Sequence, residues 1–298
     1  MSQNFAANSG MLTAAFKRQF HDAFEIQCQQ TTSVLQVLAK DRGAISGSSF
    51  TVNDMGVVEM EAMTQRFQDT KWSLPESGTR LATMNDFGLF VPIEPRDEPK
   101  LSANPTNEYM QLCLAAEHRQ RDRTIYKSLG ASVQRKVTDG ETYTPTTLPS
   151  SQVIATSATP ITKQKIVKAR TLFRKNHADN ANLYMIYNSE MLEQILVDDE
   201  LTKWDRETIQ NIMDGDVAKK WGGFIWLPYE ELADGASAEE AETYAVAQGA
   251  THYGRNSIQN FDIGVRHDKS NVKQIGGITS YGAARASEQK IVKIGFVR

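Results

Sequence analysis

Residues 46–91 constrain the fold of this chain more than any other segment, because they read as strands yet carry little that could form a core. The stretches 50–52 and 56–60 have the β-branched and apolar composition of two hairpin strands, and strand-like sequence resumes at 81–91. Between them, residues 61–80 are mostly polar. Because an isolated two-stranded hairpin is marginal in water, we predict an extended loop whose weakly hydrophobic tip needs support from the rest of the fold or from another subunit.

Charged side chains of this segment are candidates for contacts between subunits, because they crowd a tip that has no core of its own. The open alternative is that these side chains are simply solvated. The five candidates are Arg66, Asp69, Lys71, Glu76 and Arg80.

The amino-terminal region has one strong helical pattern. Leu12, Phe16, Phe20, Phe24 and Cys28 follow one another at intervals of four, which predicts a narrow apolar stripe on an amphipathic helix. Such a helix requires a surface to lie on, and the sequence leaves open whether that surface belongs to its own domain or to a neighbour. After it, the apolar residues of 34–38 predict an extended segment.

A long helix is predicted for residues 104–129. Asn104 is a suitable N-cap, Pro105 suits the first helical position and Gly130 is a suitable stop. At 1.5 Å per residue this helix is roughly 38 Å long. A second helix begins after the predicted cap Thr162. A shorter helix, with Ser189 as its predicted cap, runs to 196, and another is predicted at 205–213. Short strands are predicted at 183–187, 223–228, 244–247, 261–265, 272–281 and 290–297. This order indicates an α+β fold without the regular βαβ rhythm of a doubly wound sheet.

The exposed side of the second helix is basic, with no acidic residue between Lys163 and Lys175. Together with the arginines of the long helix, it offers candidates for phosphate contacts with nucleic acid, without sequence readout. The alternative is a solvated basic face. The four candidates are Arg119, Arg123, Lys165 and Lys168. By contrast, the acidic stretch 230–242 is predicted to be an exposed loop.

Composition and motifs argue against several classes of protein. The net charge of −3 is atypical of a free-standing DNA-binding module, which carries a basic excess. Cys28 and Cys113 lack metal-site spacing, although a disulfide between them stays open. No apolar run reaches the ~20 residues of a membrane helix, and the polar amino terminus lacks the pattern of a signal peptide.

The sequence also offers little for catalysis. The five histidines are scattered, and neither a phosphate-binding loop nor a nucleophile elbow is present. We interpret the run 198–200 as a solvated helix cap and 214–216 as a turn, and we predict no metal, no cofactor and no enzymatic activity. A hydrolase that uses Asp198, Asp199 and a histidine is retained as an alternative.

A series of short motifs follows a characteristic order along the chain. They are Phe20, Gln29-Gln30, Ser33-Val34-Leu35, Phe50, Gly56, Arg66, Asp69-Thr70, Arg80, Asp86-Phe87, Asp97, Asn104-Pro105, Tyr109, Ala115-Ala116, Arg119, Asp122, Thr162, Lys165, Ala169, Leu172, Gly222-Gly223-Phe224 and His267-Asp268-Lys269. In order and spacing, though not singly, they resemble the major capsid proteins of tailed bacteriophages with the Hong Kong 97-type fold. The chain departs from that family at Arg80-Leu81, where paired arginines are frequent, and in the acidic insertion around Glu239.

The resemblance implies a virion protein that self-assembles as pentamers and hexamers into an icosahedral head shell around double-stranded DNA. It implies portal, scaffold and decoration proteins as partners, no membrane, and assembly in the host cytoplasm. It also implies an arm (1–45), an extended loop (46–91), a peripheral domain with a spine helix (92–177 and 267–298) and an axial domain (178–266). An encapsulin-like compartment that holds protein cargo is an alternative with the same fold.

Overall fold

The structure is a computed structural model that describes residues 29–63, 69–70, 72–93, 106–197 and 220–298. The predicted helices at 12–28 and 205–213 and the predicted cap Asn104 lie outside the described residues. The α-helices are α1 (Thr106–Gly130), α2 (Lys163–Lys175) and α3 (Ser189–Val197). The strands are β1 (Ala39–Ala44), β2 (Ser49–Met55), β3 (Ser77–Thr83), β4 (Asn85–Ile93), β5 (Val133–Lys136), β6 (Thr144–Thr146), β7 (Val153–Ile154), β8 (Leu183–Tyr187), β9 (Lys220–Trp221), β10 (Phe224–Pro228), β11 (Ala233–Asp234), β12 (Glu240–Ala247), β13 (Thr251–Arg266), β14 (Val272–Arg285) and β15 (Ile291–Val297).

The described residues fall into two compact units. The first unit contains residues 29–32, 86–93, 106–120 and 257–280. The second unit contains residues 33–63, 69–70, 72–85, 121–197, 220–256 and 281–298.

A seven-stranded sheet forms the centre of the second unit. Its strands run in the order β7-β15-β12-β8-β10-β9, and β11 pairs with β12. β8 and β10 are parallel, whereas β12 is antiparallel to both β8 and β15. All five residues of β8 are buried, as expected for a continuous apolar run in a strand covered on both faces.

Helix α2 packs on this sheet through a buried stripe of Ile166, Ala169 and Phe173, spaced at helical intervals. Its first turn is capped as predicted, since Thr162 Oγ1 accepts a hydrogen bond from the Lys165 amide. The predicted end of α1 at Gly130 is also confirmed.

A four-stranded sheet of order β2-β3-β5-β6 also belongs to the second unit. β2 pairs antiparallel with β3, from Ser49 opposite Thr83 to Met55 opposite Ser77. The predicted pairing of 50–52 with 56–60 is therefore wrong, because residues 57–63 form no strand. The base of the extended loop is a genuine hairpin, and β5 and β6 extend it into a larger sheet of the same chain.

In the first unit, a small core joins β4, α1 and β14. Ile93, Cys113 and Ile275 are its buried members, and Cys113 is a free thiol. β4 lies beside β14, and its backbone passes so close to Gly276 that a Cβ there would collide with the Leu89 carbonyl. This close approach explains a glycine in the interior of a strand.

Three local predictions differ from the structure. The segment 34–38 was expected to be extended, but Leu35–Leu38 forms a 3₁₀ turn whose leading amides, Val34 N and Leu35 N, donate to the buried Asp122 carboxylate. Helix α3 is capped by Asn188, not Ser189, since Asn188 Oδ1 accepts from Met191 N. The predicted acidic loop is mostly exposed, but it contains the two-residue strand β11, which pairs with the start of β12.

The last strand, β15, pairs with strands from segments that were predicted to belong to different domains. β15, expected in the peripheral domain, pairs with β7 on one side and with β12 of the expected axial segment on the other. Tertiary pairing of the last strand, which no local pattern reports, decides this arrangement.

Candidate assembly surface

The two chain segments that leave the paired strands β2 and β3 carry large apolar side chains in contact with solvent. We call this set the apolar tip, and its side chains are between 48% and 101% exposed. Its members are Met55, Val57, Val58, Met60, Met63, Trp72 and Leu74. Met63, Trp72 and Leu74 lie in the stretch 61–80, which was predicted to be mostly polar. The residues are visible in the sequence, but they follow neither a strand nor a helix period, so no pattern assigned them to a surface.

The base of the same hairpin is held by buried charges. Arg80 on β3 is 4% exposed, and its Nε donates to Asp54 Oδ2 on β2 at 2.7 Å. Its two terminal nitrogens donate to the two carboxylate oxygens of Glu288, with Nη2 to Oε2 at 2.8 Å. Burial disfavours the charged form of Arg80, but the hydrogen bonds to Glu288 and Asp54 outweigh it and raise the pKa of the guanidinium. The prediction that Arg80 lies at an exposed tip is therefore wrong.

Two further arginines extend this cluster. Arg135 on β5 donates to Asp54 Oδ2 at 2.9 Å and to Glu76 Oε1 at 3.1 Å, which binds the third strand of the sheet to the hairpin. Arg285 is fully buried, and its Nη1 donates to the carbonyl oxygens of Leu129 and Ala131 at 2.9 and 3.0 Å. Burial lowers the pKa of Arg285. A carbonyl in the last turn of α1 and one just after the helix are thus satisfied by a cation.

The other predicted contact residues of the extended loop are found in different settings. Asp69 is exposed. Glu76 is exposed and pairs with Arg135 at the hairpin base. Arg66 and Lys71 lie outside the described residues.

The four candidate phosphate-contacting residues are not equivalent. Lys165 is only 7% exposed, and its Nζ donates to the carbonyl oxygens of Thr156, Thr159 and Gly295, each at 2.9 Å. Burial lowers the pKa of this amine to about 8. Lys165 therefore stabilises the fold of its own chain and is not a surface cation. Lys168, three residues later on the same helix, is exposed.

The two candidate arginines of α1 have partners in their own chain. In the first unit, Arg119 Nη1 donates to Gln29 Oε1 at 2.8 Å. In the second unit, Arg123 binds both carboxylate oxygens of Glu231 at 2.5 Å, and this contact raises the pKa of its guanidinium. Arg123 would have to break a bidentate pair before it could contact a phosphate.

One histidine is strongly perturbed. His252 on β13 lies opposite Lys40 in the parallel pairing with β1, and its Nδ1 accepts a hydrogen bond from Arg42 Nε at 2.9 Å. Burial, followed by the charges of Arg42, Lys40 and Lys290, lowers its pKa to about 4. The ring is therefore neutral at physiological pH and acts as a hydrogen-bond acceptor within the fold.

The described residues contain no group of three or more His, Cys, Asp or Glu side chains arranged to hold a metal ion. Within the same residues, no helix is long and apolar enough to cross a membrane. Asp198 and Asp199, the carboxylates of the hydrolase alternative, lie outside the described residues.

Comparison with known proteins identifies relatives at two levels. The family model described as phage capsid protein matches residues 12–298. No curated protein matches significantly by sequence. Among solved structures, the capsid of a native GTA particle superposes with a TM-score of 0.69 at 14% identity, covering 99% of this chain and 98% of that chain.

Two further solved structures are similar to a comparable degree. The capsid of Ralstonia phage GP4 has a TM-score of 0.66 at 10% identity and covers 100% of this chain and 98% of that chain. A structure from Mycobacterium phage Che8 has a TM-score of 0.65 at 10% identity, covering 93% of this chain and 96% of that one. At such low identity, these matches show a shared fold.

Proposed function

The chain belongs to the phage capsid protein family and is a structural, non-enzymatic shell subunit with the Hong Kong 97-type fold, and we propose that its copies form pentamers and hexamers enclosing double-stranded DNA. It is an oligomeric component of the icosahedral capsid of a virion. The proposal adds the kind of capsomer, the packaged nucleic acid and the surfaces through which copies meet.

The apolar tip carries the proposal for the contact surface. Exposed sets of large apolar side chains mark interaction sites in soluble proteins. Burying a side chain such as Leu74 in an interface gains about 1.5–3 kcal/mol. Because a shell repeats each contact many times, a few such residues per subunit are sufficient for stable association.

Buried contacts at the base of the hairpin support the same proposal. Arg80, Asp54 and Arg135 tie β2, β3 and β5 together, so the strands that present the apolar tip have a fixed register. A pre-ordered contact surface loses less conformational entropy on binding than a flexible one. We propose that the tip inserts against a sister subunit, with Arg66, Asp69, Lys71 and Glu76 forming polar contacts around it.

We retain the domain assignment as part of the proposal. Residues 1–45 act as the arm, 46–91 as the extended loop, 92–177 and 267–298 as the peripheral domain, and 178–266 as the axial domain. Portal, scaffold and decoration proteins are the expected partners, and assembly takes place in the host cytoplasm.

Electron microscopy of the expressed protein, alone and with its neighbouring gene products, tests the proposal. The double variant Trp72→Ser/Leu74→Ser should abolish particles while leaving the thermal unfolding of the subunit unchanged, since both side chains are exposed. Val167→Ser, which changes an exposed apolar residue of α2, is the matched control and should assemble normally. Normal particles from the double variant would refute the role of the apolar tip.

The contents of the particles test whether the shell encloses double-stranded DNA. Particles purified from infected cells should protect double-stranded DNA from nuclease. Particles that contain a protein cargo and no DNA would instead identify an encapsulin-like compartment.

A further inference from the structure

The exposed side of α2 borders a basic cavity in the second unit. The cavity has a volume of about 260 Å³ and is lined by cations from two separate elements: Arg170 and Arg174 from α2, and Lys220 from β9. Asp179, Ala181, Leu183 and Gly223 complete the lining. A water molecule occupies about 30 Å³ in the liquid, so the cavity is large enough for a hydrated oxyanion.

Local backbone geometry builds this cavity. Arg170 and Arg174 are four residues apart, so they share one face of the helix. Gly222 and Gly223 connect β9 to β10, and both have positive φ, 61° and 89°, as required at the two central positions of a type I′ hairpin turn. The Arg170 guanidinium lies over this turn, where a Cβ on residue 223 would be 2.9 Å from Cζ. A glycine here leaves space for the guanidinium beside the cavity.

The three cations that line the cavity differ from most arginines of the second unit in that they form no ion pair within the described part of the chain. Arg123, Arg135 and Arg298 each form ion pairs with carboxylates. Within the described part of the chain, Arg170, Arg174 and Lys220 have no ion-pair partner. Asp179 is the one carboxylate among the lining residues, which leaves an excess of two positive charges facing the cavity.

We propose that the basic cavity binds a phosphate group. Arginine guanidinium groups bind phosphate oxygens in a bidentate manner, and a lysine adds a compact charge from a second element of the fold. The phosphate comes either from free inorganic phosphate or from the backbone of nucleic acid. The second source rests on the proposed packaging of DNA, and it would place this side of α2 on the inner surface of the shell.

The experiment uses the full chain as unassembled subunits. Isothermal titration with inorganic phosphate at low ionic strength measures the first source, and fluorescence anisotropy with a short duplex DNA over a range of salt concentrations measures the second. The test variant is Arg170→Gln/Arg174→Gln. The control is Lys168→Gln/Lys175→Gln, which removes two exposed charges of the same helix that do not line the cavity.

We expect the test variant to lose about tenfold or more in phosphate affinity, while the control stays near wild type. Lys220→Gln should also weaken binding, because the cavity needs both walls. Asp179→Asn should strengthen it by removing a like charge, a gain that a merely structural role for Asp179 would not produce. If the source is nucleic acid, the slope of log K against log salt should also become less negative in the test variant, by about 0.9, which corresponds to the one phosphate contact that the cavity makes.

The results of these measurements distinguish free phosphate from nucleic acid as the ligand, and a binding cavity from none. Loss of phosphate affinity with unchanged DNA binding supports the cavity and identifies free phosphate as its ligand. Equal losses in the test and control variants, or no phosphate binding by the wild-type chain, would overturn the proposal. Failure of the wild-type chain to form particles would count against the proposed assembly and leave the cavity result intact.

Discussion

Arg80 and Glu288 are 208 residues apart in the chain, yet the guanidinium of one binds both carboxylate oxygens of the other. The arginine lies in β3 at the base of the extended hairpin, and the glutamate lies in the 3₁₀ turn that leads into β15. This pair therefore joins the segment that presents the apolar tip to the last strand of the central sheet. The contact is buried, so its loss leaves Glu288 with only the longer contact to Arg285, and Asp54 with only Arg135, in a poorly solvated site.

Arg80→Met should lower the free energy of unfolding by about 3 kcal/mol, since it removes three charge-assisted hydrogen bonds from a buried cluster of charges. Arg123→Met is the matched control, because its bidentate pair with Glu231 is largely exposed and should cost under about 1 kcal/mol. Urea denaturation of unassembled subunits measures both. Equal effects of the two substitutions would contradict the buried cluster.

Gly130→Ala tests the close approach at the end of α1. A Cβ at position 130 would collide with the hydroxyl of Tyr244, so we expect a loss of about 1–2 kcal/mol in unfolding free energy despite the better helix propensity of alanine. In a Tyr244→Phe background the same substitution should be nearly neutral. A double-mutant cycle measures the coupling, and strictly additive effects would show that the hydroxyl is not the obstacle.

Lys165→Met and Lys168→Met should behave very differently, although the residues are three apart on one helix. The first substitution leaves the carbonyls of Thr156, Thr159 and Gly295 without their shared donor, and we expect a cost of about 3 kcal/mol. The second changes an exposed side chain and should stay within about 0.5 kcal/mol. Thermal and urea unfolding compare them, and a small effect of Lys165→Met would refute its structural role.

The stability of the subunit should depend on the protonation of His252. Its pKa is lowered from 6.5 to about 4 in the folded protein, so between these values the unfolded chain binds a proton that the folded chain does not. The contribution of His252 is complete above about pH 6.5, falls as the pH decreases towards 4, and is constant below that. Because the ring is partly solvated, we expect a total of about 1–2 kcal/mol.

The difference between wild type and His252→Gln isolates this contribution from the titration of carboxylates. Glutamine keeps an acceptor for Arg42 but does not titrate, so the difference in unfolding free energy should change between pH 6.5 and 4. A difference that stays constant over this range would contradict the lowered pKa.

Elements whose backbone is decided by their own residues could be predicted from the sequence. The cap at Thr162, the buried strand at 183–187 and the end of α1 at Gly130 were predicted correctly. Each depends on contacts within a few residues or on a run of like side chains. The segment 35–38 was predicted wrongly because its 3₁₀ turn depends on the carboxylate of Asp122, nearly ninety positions away.

The residues of the candidate site also divide into those that the sequence predicted correctly and those that it did not. Sequence reasoning predicted a hairpin within residues 46–91 and the basic side of α2, but it paired the wrong strands, placed Arg80 at an exposed tip and treated Lys165 and Lys168 alike. It also overlooked the exposed side chains of Trp72 and Leu74, which follow no period.

By itself, the sequence determined many of the helices and strands, the α+β class and, through the order of its motifs, the family. The tertiary structure decided which strand pairs with which, which cations are buried and which apolar side chains stay in solvent. The physical reason is that backbone conformation responds to neighbours along the chain. The environment of Arg80 or Lys165 is instead formed by partners such as Glu288 and Gly295, which only the complete fold brings within hydrogen-bond distance.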